Sequence, residues 1–190
     1  MLSAVQDLIG DYEIIPGRAL SENTPRRRYF TQAFKNVREY IQPKNDNQLK
    51  DLRYTAVINS ASEVREFARI SLESLGFSYL GVEEKLHDLA YMIMDRFNIN
   101  SLNCRMELIY SDKCRRFHVD NVFLRAITTL IGPGTELQIS SEPGKVLQIE
   151  TGDTVLVKGR QFPGKYDGVL HRSPKISHLG LFRVVFVMDY

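Results

Sequence analysis

His118 and Asp120 stand one residue apart in Phe117-His118-Val119-Asp120, and a further histidine follows in Leu170-His171-Arg172-Ser173-Pro174. Two imidazoles and one carboxylate form the donor set that holds a divalent metal on one face and leaves other coordination positions open. Such a set suits Fe(II), Mn(II), Co(II), Ni(II) or Zn(II), with room beside the ion for substrate and for oxygen or water. The competing account is an ordinary hydrogen-bonded pair of His118 and Asp120, with His171 at the surface. Cys114 and His178 are further donors close enough in sequence to extend the set. A thiolate would shift the preference towards zinc, but a buried thiol and a surface imidazole are the plainer readings.

The elements that must bring these donors together are strands. From about residue 100 the chain reads as short alternating or apolar runs: 102–110, 115–119, 123–131, 137–140, 146–149, 154–157, 169–171 and 181–188. Turn signals separate them, among them Gly132-Pro133-Gly134, Glu142-Pro143-Gly144 and Phe162-Pro163-Gly164. Strand alternation over 115–119 would point Cys114, Arg116, His118 and Asp120 to one side. Eight short strands so spaced predict a double-sheet jelly roll.

The first hundred residues read differently. After Tyr12–Ile15, an extended piece, Thr24-Pro25 looks like a helix start, with apolar residues at Phe30, Ala33, Phe34, Val37 and Ile41 before Pro43. Residues 52–58 suit a strand. Ser60 with Glu63 forms a capping box ahead of Val64, Phe67, Ala68, Leu72 and Leu75. A second helix is expected over 81–97, with Leu86, Leu89, Ala90 and Ile93 inward and His87 outward. The fold class is therefore α+β: a mainly helical region, 1–100, packing on a β jelly-roll core, 101–190, as one structural unit.

With 43% hydrophobic and 25% charged residues and a formal net charge of +2, the composition is that of a globular domain. The balance gives no general case for nucleic acid or membrane as partner. Two cysteines are too few for a disulfide framework. Without a basic, apolar leader or an apolar run of the ~20 residues that cross a bilayer, a cytoplasmic location is the expectation. Arg26-Arg27-Arg28 is the one local basic run. It stands in the first turn of a helix, where positive charge opposes the dipole, and would be the contact surface if the protein were a nucleic-acid or partner-binding module.

Residues 104–189 resemble a family of bacterial proteins known as a domain of unknown function. The motifs that carry the resemblance are Cys114-x-x-Phe117-His118-Val119-Asp120, Arg125 with Gly132-Pro133-Gly134-Thr135-Glu136, Lys158-Gly159, His171-Arg172-Ser173-Pro174, and Arg183 before Asp189. Membership implies a link to zinc homeostasis. The order H-x-D, distal histidine, downstream arginine is also similar to that of the Fe(II)/2-oxoglutarate dioxygenases, whose core is a double-stranded β-helix of the cupin-like type. That likeness implies an iron site at His118, Asp120 and His171. It also implies a cation for the distant carboxylate of 2-oxoglutarate, and Arg183, twelve residues beyond His171, stands where such enzymes place it. Arg125 is the second choice and Lys158 the third. Pairing of these cations with Glu107, Glu136 or Asp189 is the plain structural account.

Three functions follow for comparison: an Fe(II)/2-oxoglutarate-dependent oxygenase acting on a substrate the sequence does not name; a non-enzymatic, zinc-linked metal-binding protein using the same three ligands with Cys114 or His178; and a binding module working through Arg26–Arg28. There is no nucleophile-elbow motif and no Cys-His pair suited to hydrolysis.

Overall fold

The computed structural model describes residues 12–16, 51–77, 81–140, 142, 144–164 and 169–190. The helix expected over 24–43 and the Arg26–Arg28 run lie outside these residues.

Two helices form where apolar spacing and caps coincide. Helix α1, Ala61–Ser74, starts at Ser60, whose Oγ accepts from the Glu63 N–H at 3.3 Å. The Glu63 carboxylate reaches back to the N–H of Asn59 at 3.1 Å, a capping box displaced by one residue. Helix α2, Val82–Phe97, ends at Asn98 in the left-handed region, φ 51°. No described helix is long and apolar enough to cross a membrane.

The strands are β1 (Tyr12–Ile15), β2 (Leu52–Ile58), β3 (Leu102–Ile109), β4 (Leu124–Ile131), β5 (Glu136–Ile139), β6 (Val146–Gln148), β7 (Thr154–Lys158), β8 (Val169–Arg172) and β9 (Arg183–Asp189). Six of them form one antiparallel sheet in the order β1-β7-β4-β9-β3-β2, and three form a second in the order β6-β5-β8. The large sheet thus takes β1 and β2 from the first hundred residues.

Alternation along the strands builds two separate cores. Val184, Phe186 and Met188 of β9, with Cys104 and Met106 of β3, pack with Val64, Leu72, Leu89 and Ile93 of the helices. Val185 and Val187 face the other way and join Ile127, Val155 and Val157 against Leu137 and Val169 of the small sheet. The result is the expected α+β fold, a double-stranded β-helix with helices on the outer face of its large sheet.

One expected strand is absent. Residues 115–119 contribute an isolated bridge between His118 and His171 rather than a strand. Cys114 adopts a left-handed conformation, φ 53°, which breaks the extended run. The chain before it is tied sideways: the Asp112 carboxylate accepts from the N–H groups of Ile176 and Ser177 at 2.8 and 3.0 Å and from the Ser177 hydroxyl at 2.8 Å. Asp51 similarly accepts from the Tyr110 and Ser111 N–H groups at 2.7 and 3.1 Å.

Candidate metal centre

The isolated bridge does for the site what a strand was expected to do. The His118 N–H donates to the His171 carbonyl at 3.1 Å and the His171 N–H to that of His118 at 3.0 Å, which sets the two rings 4.6 Å apart between centroids. His118 Nδ1 lies 2.8 Å from the Arg116 carbonyl. A carbonyl can only accept, so Nδ1 carries the proton and Nε2 keeps its lone pair for a ligand.

Asp120 is held from behind. Its backbone carbonyl accepts from the Arg160 N–H at 2.9 Å, and Gly159 donates to the Phe123 carbonyl at 3.0 Å. A side chain at Gly159 would meet the Val122 carbonyl at 1.9 Å, so the Lys158-Gly159 turn closes on residues 120–123 only with glycine there. The carboxylate then stands 2.7 Å from His171 Nε2 through Oδ2 and 3.7 Å from His118 Nε2 through Oδ1. One donor atom from each of His118, Asp120 and His171 lies within 4.8 Å of the others. Neither Cys114 nor His178 belongs to this group among the described residues; both are exposed.

Burial pushes the Asp120 carboxyl up, but His171 and the Arg125 guanidinium outweigh it and hold the group down at about 2. It is therefore ionised at neutral pH. Its Oδ2 is nevertheless buried without any hydrogen bond of proper geometry, although His171 and Arg125 stand close by. That oxygen is matched in charge but not in hydrogen-bond geometry. A divalent ion at this point would take Asp120 together with the Nε2 atoms of His118 and His171, so the donor set and its geometry fit a metal.

Arg125 and Arg183, the two arginines considered as anchors, have different surroundings. Arg125 holds Asp189 with two bonds, at 2.5 and 2.7 Å, and also contacts Asp120. That double pairing takes up its charge. Lys158 stacks on Phe162, 4.7 Å from the ring centroid. Arg183, only 1% exposed, has neutral partners: it donates to the Pro133 carbonyl at 2.7 Å and to the hydroxyls of Ser173, Thr129 and Thr135 at 2.7, 3.2 and 3.3 Å. It makes no ion pair among the described residues. Burial draws its pKa down to about 10, against the pull of Glu107, Cys114 and Glu136.

The Gly132-Pro133-Gly134-Thr135 turn is the cradle of Arg183. Gly132 has φ 83°, and a side chain at Gly134 would stand 1.7 Å from the Ile149 carbonyl. A register shift between Thr129 and Ile131 precedes the turn, the kind of bulge that re-aims side chains at a site. The three hydroxyls were not legible as site residues, since the spacing of Thr129, Thr135 and Ser173 marks no pattern. Arg172, beside His171, pairs with Glu136 at 2.5 Å and lies 4.1 Å over the Phe117 ring, pinning the residue before His118. His118, His171 and Arg183 line one pocket of about 60 Å³.

Fold and site together define a double-stranded β-helix protein with a candidate His-Asp-His metal centre. The chain belongs to the family described as "Protein of unknown function (DUF1826)", which matches residues 25–189. No curated protein sequence matches it. Solved structures do share the fold. Dioxygenase for auxin oxidation 1 from Arabidopsis thaliana, in complex with 2-oxoglutarate, is 13% identical with a TM-score of 0.52, covering 98% of this chain and 86% of the other. The dioxygenase for auxin oxidation in rice is 14% identical with a TM-score of 0.54, over 94% and 72%. A bsmA homolog from Methylobium petroleophilum PM1 is 13% identical with a TM-score of 0.54, over 99% and 91%. At such identities the likeness establishes the double-stranded β-helix alone.

Proposed function

We propose that the protein is an Fe(II)/2-oxoglutarate-dependent oxygenase, with His118, Asp120 and His171 as iron ligands and Arg183 as the anchor of the cosubstrate. The observation that carries the reading is Arg183: a buried guanidinium, partnered by neutral acceptors alone, lines the same pocket as the triad histidines. A buried cation left without a counter-ion is suited to a carboxylate ligand. The fold shared with a dioxygenase solved with 2-oxoglutarate supports the same assignment.

Bound iron, with 2-oxoglutarate and O₂, would supply oxidation of a primary substrate coupled to decarboxylation of the cosubstrate. The chain's own contribution is positioning. The Arg116 carbonyl fixes the tautomer of His118, Arg125 keeps Asp120 ionised, and the Gly132–Thr135 turn aims Arg183. Val185 and Val187 give the pocket an apolar floor that limits water.

The test is anaerobic titration of the metal-free protein with Fe(II) and then 2-oxoglutarate. A visible charge-transfer band should appear on the second addition, be lost in His171→Ala, and require far more 2-oxoglutarate in Arg183→Gln. An Fe(II) form that fails to bind 2-oxoglutarate would end the proposal.

A further inference from the structure

The sheet face that carries Arg183 continues outward beyond it. Along β3 and β9, Ile109 pairs with Arg183, Glu107 with Val185, Arg105 with Val187 and Asn103 with Asp189. Side chains on one face of a strand recur every ~6.6 Å, so Arg105 stands two rows, roughly 13 Å along the strand, from Arg183. Val185 lies between them and Val187 stands beside Arg105, and all four line the pocket of the triad histidines.

Arg105 is the least satisfied cation of this pocket. Its Nε is buried and has no hydrogen-bond partner. Its nearest acid is Asp189, 3.6 Å from Nη1, and that carboxylate is already held by two bonds from Arg125. The other acids nearby are engaged, Glu107 by Arg53 and Glu136 by Arg172. A buried donor with no acceptor destabilises the fold, a cost a ligand's acceptor would relieve. With 23% of its side chain exposed, Arg105 is accessible from solvent.

The charge balance says what kind of acceptor this is. Setting aside the paired Arg53–Glu107 and Arg172–Glu136, the cations Arg105, Arg125 and Arg183 face the anions Asp120 and Asp189. A divalent metal and dianionic 2-oxoglutarate would offset one another, so one positive charge stays uncompensated. Arg125 is doubly paired and Arg183 is taken by the cosubstrate, which leaves Arg105.

We infer that Arg105 binds the carboxylate of the primary substrate, an apolar monocarboxylic acid whose body lies along Val187 and Ile127 towards the triad. The inference rests on the oxygenase reading for the reaction, but carboxylate binding at Arg105 can be measured without turnover.

The probe is a series of straight-chain acids, acetate to octanoate, with the matching primary amides as neutral controls. Each is titrated by calorimetry into the full chain, with and without Fe(II) and 2-oxoglutarate, anaerobically. The longer acids should bind the loaded protein, with each amide weaker by about tenfold or more, the worth of a charged hydrogen bond. Arg105→Gln should remove the preference for acid over amide and leave 2-oxoglutarate affinity unchanged; Arg105→Lys should restore part of it. Arg183→Gln should do the reverse, weakening 2-oxoglutarate and sparing the acid. No acid binding to the wild type, no discrimination against the amide, or equal binding to Arg105→Gln would each overturn the inference. Loss of 2-oxoglutarate binding in the wild type would instead overturn the oxygenase reading, with the acid titration still reporting on Arg105. Thermal unfolding of each variant confirms that it is folded.

Discussion

Arg125 and Arg183 lie on neighbouring central strands of one sheet, both buried, and differ in what meets their charge. Arg125 is matched by Asp189 and Asp120. Arg183 is met by one carbonyl and three hydroxyls. The first arrangement is complete in itself and joins β4 and β9 beside the candidate metal centre. The second gives each guanidinium nitrogen a hydrogen bond and leaves the charge unmatched, the condition on which the proposed anchoring of 2-oxoglutarate rests. Burial alone therefore does not separate the two arginines; the ionic state of their partners does.

The largest effect should come from the paired arginine. Arg125→Gln strands the buried Asp189 carboxylate, and the expected loss of stability is about 3–5 kcal/mol, read by urea denaturation of the metal-free protein. Adding Asp189→Asn should recover a good part of it, because the uncompensated charge goes with it. If Arg125→Gln is as stable as wild type, the contrast drawn between the two arginines fails.

Arg183→Gln should behave oppositely. Removing a buried charge that lacks a counter-ion leaves stability close to that of wild type, while 2-oxoglutarate affinity falls by ~2–5 kcal/mol, roughly thirtyfold or more. Equilibrium titration and denaturation of the same sample separate the two readouts.

A smaller effect tests the cradle rather than the charge. In Gly134→Ala the new methyl meets the Ile149 carbonyl, so the turn must shift. Overpacking of this kind costs about 1–3 kcal/mol of stability. Because the Pro133 carbonyl moves with the turn, 2-oxoglutarate should also bind more weakly, though less so than in Arg183→Gln. Unchanged affinity would show that the turn does not position Arg183.

Much of this was legible from residue types and spacing. The apolar alternation of β3, the continuous runs of β4 and β9 and the capping box of α1 are local signals, and the structure places those elements within one or two residues of their expected ends. The donor types of the triad were legible too, but not how they meet. Arg115-Arg116-Phe117-His118-Val119 has the look of a strand; sideways ties from Asp51 and Asp112, invisible in the sequence, make it a loop with one bridge. Asp189 could be named as a possible partner of an arginine. Which arginine it takes depends on strand register, and register here joins residues 64 positions apart. The hydroxyls around Arg183 come from three separate segments, and only the fold unites them.

The smallest effect concerns pH, and it again separates ionic from neutral partnership. Asp112, bonded by the Ser177 and Ile176 N–H groups and the Ser177 hydroxyl, is held down at about 2, against 3.8 ordinarily. Asp51 is likewise at about 2, where Lys113 and Ser111 outweigh the upward push of burial. Between those values the unfolded chain takes up protons that the folded chain refuses, so these carboxylates stabilise the fold above about pH 3.8 and cease to do so as pH falls towards 2. Asp112→Asn keeps an acceptor but cannot titrate. Its stability should be below that of wild type at pH 7 and should decline less steeply below pH 4, the two curves approaching each other near pH 2. The partners of Arg183 do not titrate in this range, so Arg183→Gln should run parallel to wild type throughout. Denaturation midpoints collected from pH 7 to 2 on the metal-free protein would show whether the acid dependence follows the carboxylates, as the pairing predicts, or shifts with Arg183.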